Sequence, residues 1–186
     1  MTEKSDEQLV KDAQEGNKQA FKELIMRLEP RVATTVIGML GDCPEADDVG
    51  QETFVRFYRA LKSFRGESSV VTYVTRIAIN LSLNELKRRK RKFSFFSRED
   101  SDNIHNAPDM KNSEKSFENK ELVQWALQKL SADYKVVLVL RLMEGYSTEE
   151  TAKLLKIPIG TVTSRLFRAQ NKMKELLAPD MGVSNG

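Results

Sequence analysis

The spacing of apolar residues predicts helices along most of this 186-residue chain. Apolar positions recur three and four residues apart, and no stretch shows the sustained alternation of a half-buried strand. We therefore predict an all-α fold. Helices are expected over residues 5–16, 19–40, 45–61, 69–92, 122–130 and 133–143, with two short helices after Ser147. Ser5 with Gln8 is expected to cap the first of them. Pro30 is expected to kink or limit the second helix, because proline lacks a backbone N–H.

A polar stretch divides the helices into two groups. Periodicity is lost over residues 97–116, which are rich in Ser, Asp and Asn and contain Pro108. This composition is typical of a flexible linker. The sequence thus predicts two small helical domains, residues 1–92 and 117–178, joined by a linker over 93–116 and followed by a frayed tail over 179–186.

Composition excludes several classes of protein. No apolar run approaches the ~20 residues of a membrane span, and the N-terminus lacks the apolar region of a secretory signal. We therefore expect a cytoplasmic protein without membrane insertion. The single Cys43 excludes an internal disulfide framework, and one His with one Cys gives poor support for zinc binding or His-based catalysis. We expect no metal, no cofactor and no catalytic residues.

Charge is distributed unevenly along the chain. The net charge is +3, yet residues 62–92 hold nine Lys and Arg but only two Asp and Glu, whereas residues 1–61 are acidic. Residues 117–178 form a second basic segment. Basic segments suit phosphate, and an acidic face meets solvent or a basic protein. Composition therefore favours nucleic acid as one partner.

The two short helices after Ser147 predict a helix-turn-helix. Glu150 lies three residues after Ser147, which completes a capping box, and Pro158 fits the first turn of the second helix. One side of that helix is an apolar stripe of Ile159, Val162, Leu166, Ala169, Met173 and Leu176. The other side presents Thr163, Ser164, Phe167 and Arg168, with Thr161 and Arg165 beside them. Such a face suits the major groove of DNA, and a surface helix in an ordinary bundle is the alternative.

A second candidate surface lies around the loop of residues 64–69 and the helix after it. Aromatic, amide and cationic residues alternate there and end in the six cations of residues 87–92. Aromatic rings stack on unpaired bases, amides read base edges and cations follow the backbone, so the pattern favours single-stranded DNA. The alternative is that Phe64 and Tyr73 belong to the core. A solvated helix end explains the cations poorly, because adjacent like charges repel unless phosphate neutralises them.

The helix over residues 45–61 begins with acidic residues and then mixes polar and aromatic side chains. Its acidic first turn is explained by the helix dipole better than by a metal cluster without histidine. A mixed polar and aromatic face is typical of a protein-docking surface. The alternative is that Phe54, Phe57 and Tyr58 are core residues.

Three segments, in this order, resemble bacterial sigma factors of the sigma-70 family. Residues 45–56 resemble region 2.2, residues 64–80 resemble regions 2.3 and 2.4, and residues 146–177 resemble region 4.2. The short length and the linker resemble the extracytoplasmic-function (group IV) members, which keep only domains 2 and 4. The resemblance covers nearly all of the chain except the linker and the last residues.

The resemblance implies a protein that binds the β′ clamp and β flap of core RNA polymerase, directs it to promoter DNA and helps to open the duplex. It places polymerase contacts at Asp48, Gln51, Glu52, Phe54 and Arg56. It places −10 contacts at Phe64, Arg65, Ser68, Arg76, Asn80, Asn84, Lys87 and Arg88. It places −35 contacts at Thr161, Thr163, Ser164, Arg165, Phe167 and Arg168. An anti-sigma factor held between the two domains is a further partner of such proteins.

Three positions depart from the family pattern. Gly50 stands where an apolar residue is usual, and we expect it to loosen its helix by up to about 1 kcal/mol. Tyr73 stands where tryptophan is usual, and it keeps an aromatic face. Thr163 stands where lysine or arginine is common, so promoter preference is expected to differ.

Two other functions compete with the sigma factor. A two-domain helix-turn-helix regulator would bind DNA without polymerase, but the acidic docking helix and the two basic segments favour the sigma factor. A nucleic-acid enzyme would need paired carboxylates with a histidine, or a Gly-rich phosphate loop, and the sequence has neither.

Overall fold

The computed structural model describes residues 4–99 and 119–178. Within these ranges the chain is helical and has no strand, which confirms the predicted all-α class. The helices are α1 (Asp6–Gln14), α2 (Lys18–Leu40), α3 (Pro44–Ala60), α4 (Val70–Glu99), α5 (Asn119–Lys129), α6 (Ala132–Leu138), α7 (Thr148–Leu155) and α8 (Ile159–Leu177). A 3₁₀ turn (Leu61–Ser63) follows α3, and a π-helical turn (Val139–Met143) continues α6. None of the helices described is long and apolar enough to cross a membrane.

Side-chain caps explain where the first helices begin. The predicted capping box of α1 is present: the Gln8 N–H donates to Ser5 Oγ at 3.3 Å, and the Ser5 N–H donates to Gln8 Oε1 at 3.0 Å. Asn17 caps α2, and its Oδ1 accepts from the N–H groups of Gln19 and Ala20. These caps satisfy N–H groups that the first turn of a helix leaves unpaired.

Helix α2 lies at the centre of the fold. It continues through Pro30, so the proline does not limit the helix, because burial along its length outweighs one missing hydrogen bond. Its apolar side chains, including Leu24 and Val36, pack against α1, α3 and α4. Phe57 of α3 fills the same core with no exposed surface.

Helices α5–α8 form a second group with a smaller core of its own, made by Leu127, Leu130, Leu138 and Ala169. The single helix predicted over residues 133–143 is in fact α6 followed by the wider π turn, in which the Glu144 N–H donates to the Val139 carbonyl at 3.0 Å. Val139 and Leu140 are both completely buried. The two residues continue the run of buried apolar residues that begins at Val136.

The two groups of helices contact each other along α2. The carboxylate of Glu144, which is 6% exposed, accepts a hydrogen bond from the Thr35 hydroxyl at 2.9 Å, and Arg31 lies 3.3 Å from it. Burial raises the pKa of Glu144, although the Thr35 hydrogen bond and Arg31 oppose the shift. A buried carboxylate held by two partners makes this contact specific in geometry.

The last turn of α2 is capped by side chains from other helices. A helix leaves its final carbonyls without partners, and here three of them receive side-chain donors, as does the carbonyl of Ile37, which also accepts from the Gly41 N–H at 2.8 Å. Three of the donors come from the second group of helices and one comes from α4. Gln124 donates to the carbonyl of Ile37 at 2.5 Å, and Gln128 donates to that of Gly38 at 3.3 Å. Lys135 donates to the carbonyl of Met39 at 3.2 Å, and Arg89 donates to that of Leu40 at 3.0 Å.

Helix α4 ends at Glu99, seven residues beyond the end predicted at Lys92. The reason is that residues 93–99 contain no glycine or proline to stop the helix. The predicted linker therefore begins as helix, and most of it, with the predicted tail, lies outside the described residues. The domain boundaries stay a prediction.

Gly50→Ala is expected to raise the free energy of unfolding by up to about 1 kcal/mol, because glycine is unfavourable inside a helix. A Cβ at Gly50 would meet no heavy atom within 4 Å. Thermal denaturation followed by circular dichroism measures the change, and an unchanged or lower melting temperature would contradict it. Gly38→Ala is the contrasting variant and should be destabilised, since its Cβ would lie 2.9 Å from Cγ2 of Val139.

Candidate polymerase and promoter interfaces

Helix α3 presents a polar face that contains four of the five predicted polymerase contacts. Asp48, Gln51 and Arg56 are exposed, and Glu52 is half-buried. The Arg56 guanidinium donates to Glu52 at 2.8 Å, one helical turn away. The fifth residue, Phe54, lies to one side of this face, half-buried against the core.

The aromatic residues of α3 differ in environment. Phe57 is a core residue, as the alternative interpretation held. Tyr58 is 60% exposed, with its ring 5.0 Å from that of Phe21. An aromatic ring therefore lies on the surface of α3, where a protein partner can reach it.

The acidic first turn of α3 is engaged by a cation. Glu45 lies 3.4 Å from the Arg89 guanidinium. The pKa of Glu45 is lowered, mainly by a hydrogen bond to its own backbone. A hydrogen bond with the Cys43 side chain and the charge of Arg89 lower it further. Within the parts of the chain that the structure describes, no group of three or more His, Cys, Asp or Glu is placed to hold a metal ion.

The loop of residues 64–69 and the start of α4 enclose a cavity of about 350 Å³. Phe64 and Tyr73 are half-buried, and their ring centroids lie 4.9 Å apart. Both interpretations of these rings therefore hold in part, since each packs on the core and also lines the cavity. The remaining lining residues are Ser63, Arg65, Glu67, Ser68 and Arg76. Nε of Arg76 is buried and has no hydrogen-bond partner among the residues that the structure describes.

One face of α4 continues from this cavity. Asn80, Asn84, Lys87 and Arg88 follow Arg76 at helical spacing, and all four are exposed. Arg65 is exposed at the mouth of the cavity, and Ser68 is half-buried beside it. The structure thus brings all eight predicted −10 residues to one loop and one helix face.

The run of six cations is less unbalanced than its sequence indicates. Glu85 accepts hydrogen bonds from Arg88 at 2.6 Å and from Arg89 at 3.2 Å, so one carboxylate within α4 offsets part of the charge of these two cations. The Arg88 hydrogen bond is the main cause of the lowered pKa of Glu85. Phosphate is therefore not the only group that offsets the charge of this run, and the i, i+3 and i, i+4 spacing of Glu85 with the two arginines indicates this in the sequence.

The predicted helix-turn-helix is formed by α7 and α8. Its capping box is present: the Glu150 N–H donates to Ser147 Oγ at 3.1 Å, and the Ser147 N–H donates to Glu150 Oε2 at 2.7 Å. Lys156 ends α7 in the left-handed conformation (φ 56°). Pro158 precedes the first residue of α8, one position earlier than predicted.

The exposed face of α8 matches the predicted reading face. Thr163, Ser164, Phe167 and Arg168 are exposed, whereas Thr161 and Arg165 are half-buried. Val162 and Ala169 of the apolar stripe are completely buried, but Ile159 at its start is 51% exposed. Arg165 differs from Arg168 in being paired, since it lies 3.3 Å from Asp133 of α6.

Comparison with known proteins identifies this arrangement. Residues 24–92 match the family Sigma-70 region 2, and residues 120–173 match Sigma-70, region 4. The chain belongs to the extracytoplasmic-function sigma factors of the sigma-70 family. As a sigma factor, it binds core RNA polymerase and promoter DNA and directs promoter-specific transcription initiation. A regulator that acts without polymerase is not favoured.

Curated relatives cover almost the whole of this sigma factor. The RNA polymerase sigma-H factor of Pseudomonas aeruginosa is 36% identical to it, over 96% of this chain and 97% of the relative. The ECF RNA polymerase sigma-E factor of Escherichia coli is 34% identical, over 94% of this chain and 95% of the relative. Sigma factors of this family are in general regulators that bind DNA and have no enzymatic activity.

Solved structures show the same fold. The sigma factor RpoE of Bartonella quintana, in complex with the anti-sigma factor NepR, has a TM-score of 0.68 at 25% identity and covers 86% of this chain and 98% of its own. CnrH, in complex with the cytosolic domain of CnrY, has a TM-score of 0.68 at 26% identity and covers 94% of this chain and 98% of its own.

Proposed function

We propose that the three surfaces divide the work of this sigma factor as follows. The polar face of α3 docks on polymerase, the loop of residues 64–69 with the exposed face of α4 reads and opens the −10 element, and the exposed face of α8 reads the −35 element. The two domains that carry these surfaces are residues 1–92 and 117–178. The residues assigned to each surface are those predicted from the sequence.

The cavity beside residues 64–69 is the observation that carries this proposal. Two rings 4.9 Å apart line it, and a volume of about 350 Å³ accommodates a flat ring system between loop and helix. The buried Nε of Arg76 has no partner in the described part of the chain, and a base edge supplies an acceptor for it. An unpaired base flipped from the duplex is therefore the ligand that we assign to the cavity.

Transcription in vitro tests the function directly. Purified chain with core polymerase is expected to give transcripts with defined start sites on genomic fragments, whereas core polymerase alone gives none. Binding to a single-stranded −10 oligonucleotide separates the sigma factor from a duplex-binding regulator. Failure to bind the single strand, together with no promoter-specific transcript on any fragment, would contradict the proposal.

Asn80→Ala is expected to impair promoter opening more than formation of the closed complex. Asn80 is exposed one turn beyond Arg76, where its amide can read a base edge of the opened strand. Loss of one such hydrogen bond corresponds to about fivefold fewer open complexes. Permanganate footprinting of the −10 region measures opening, and gel-shift assays measure the closed complex. Gln19→Ala, an exposed amide on α2, is the control, and an unchanged open-complex footprint in Asn80→Ala would rule the role out.

We also propose that the chain acts in the cytoplasm, catalyses no reaction of its own and is regulated by an anti-sigma factor. Two structural neighbours are named as complexes, one with the anti-sigma factor NepR and one with the cytosolic domain of CnrY. An inhibitor inserted between the two domains of this chain has to displace the contacts of Arg31 and Thr35 with Glu144. It is therefore expected to bind more weakly to wild-type protein than to a Glu144→Ala variant.

A further inference from the structure

The side chain of Gln14 joins helix α1 by hydrogen bonds to the segment that leads from α3 into the loop of residues 64–69. Gln14, half-buried in the last turn of α1, donates from Nε2 to the carbonyls of Leu61 and Phe64 at 2.9 and 2.8 Å. These two residues bracket the 3₁₀ turn that leads from α3 into the loop. Because both acceptors are backbone groups, the bonds hold the main chain itself.

The main chain changes course at these carbonyls. Phe64 has extended backbone angles (φ −69°, ψ 118°), and Gly66 has a positive φ of 72°. A segment that leaves helical geometry loses the regular hydrogen-bond partners of its backbone, and a side-chain donor is one way to satisfy them. Gln14 supplies a donor to the Phe64 carbonyl and a second donor to the Leu61 carbonyl, which also accepts from the Phe64 N–H at 3.1 Å.

Phe64 is also a wall of the cavity to which we assign the flipped base. The path of its backbone sets the direction of its ring, and hence the separation from Tyr73. On the opposite side, a second cavity of about 370 Å³ lies between α1 and the loop. Helix α1 therefore does not support the loop by close packing along the helix. The position of the Phe64 side chain depends on how the backbone of Phe64 is held.

We propose that Gln14 is a positioning residue for −10 recognition, which holds the Phe64 ring in contact with Tyr73 in the wall of the cavity to which we assign an unpaired base. This role rests on the proposed function of the cavity. Helix α1 carries none of the predicted DNA contacts, and it precedes residues 24–92, which match Sigma-70 region 2. The inference thus gives the first helix a part in reading the promoter.

The test compares an intact single-stranded −10 oligonucleotide with a series of oligonucleotides, each of which has one abasic site at a different position. Fluorescence anisotropy gives the ratio of their affinities. For the wild-type chain the ratio is expected to reach about fivefold or more at one position, since stacking of a base on an aromatic ring has at least that effect. Gln14→Glu, which keeps the shape but cannot donate, is expected to bring the ratio to within about twofold of unity. Gln14→Met should do the same without a change in charge.

The ratio separates positioning from a general loss of structure or charge, because such losses weaken both strands alike. Gln14→Lys keeps N–H donors and is expected to retain most of the wild-type ratio. Gln19→Glu, the same chemical change at an exposed position of α2, should leave the ratio unchanged. Melting temperature and binding to a −35 duplex show whether each variant is folded.

Three results would overturn the inference. In the first, Gln14→Glu and Gln14→Met keep the wild-type ratio of affinities. In the second, Gln14→Lys loses the ratio as Gln14→Met does, and the effect is then one of side-chain packing and not of hydrogen bonding. If the wild-type chain shows no position at which an abasic site matters, the cavity receives no base. The proposed −10 function then fails together with the role of Gln14, and this outcome is recognised in the wild-type protein alone.

Discussion

Arg168→Ala is expected to weaken binding to a −35 duplex about tenfold or more while leaving the affinity for core polymerase unchanged. Arg168 is exposed on α8 beside Ser164 and Phe167, and it has no hydrogen bond or ion pair within the described residues. Its guanidinium is thus free to contact a base edge, and one bidentate arginine contributes about 1–3 kcal/mol of discrimination. Fluorescence anisotropy with duplexes of matched and altered −35 sequence measures the effect.

Lys172→Ala is the matched control for that experiment. It removes one positive charge from the same helix, but Lys172 is already paired with Glu175 at 2.8 Å. We expect it to change −35 affinity less than about threefold and equally for matched and altered sequences. An Arg168→Ala chain that keeps the wild-type preference for the matched duplex would contradict the assignment. Loss of both DNA and polymerase binding would indicate misfolding instead.

Stability is expected to rise with pH between about 8 and 10.5, because of Lys135. This ammonium is only 2% exposed, and burial, with a smaller contribution from the charge of Arg89, lowers its pKa from 10.5 to about 8. The unfolded chain therefore binds more protons in this window than the folded chain, so raising the pH favours folding. Below its pKa in the folded chain, Lys135 contributes no pH dependence to the free energy of unfolding. Above its pKa in the unfolded chain, the gain in the free energy of unfolding reaches up to about 3 kcal/mol.

Denaturant unfolding at a series of pH values measures this dependence. Lys135→Met keeps the length of the side chain and removes the titrating group, so subtracting its profile isolates the contribution of Lys135. Glu144, whose pKa is raised, does not interfere, because it is present in both proteins and its contribution cancels in the subtraction. Parallel profiles for the two proteins between pH 8 and 10.5 would show that Lys135 is not buried as the structure has it.

The features that sequence analysis predicted correctly depend on residues a few positions apart. The capping boxes at Ser5 and Ser147 each join residues three apart, and the exposed face of α8 follows from a period of three and four. The family resemblance is of the same kind, since its motifs are short contiguous segments. Faces and caps of helices can be predicted because one helix contains all the residues that define them.

The errors of sequence analysis have particular causes. The end of α4 was placed at Lys92 because the charge pattern ends there, yet no residue at that point stops a helix. The π turn after α6 has no periodic signal of its own, because it differs from an α-helix by one residue per turn. The pairing of Glu85 with Arg88 and Arg89 was visible at helical spacing and was overlooked.

By itself, the sequence determined the helical class, the residues that α4 and α8 expose and the family. The tertiary structure alone decided how the domains meet, where the cavity lies and what holds the loop beside it. Gln14 meets Phe64 across 50 positions, and Thr35 meets Glu144 across 109. Such pairs leave no period in a sequence, because packing of separate helices, rather than the geometry of one, brings their donors and acceptors together.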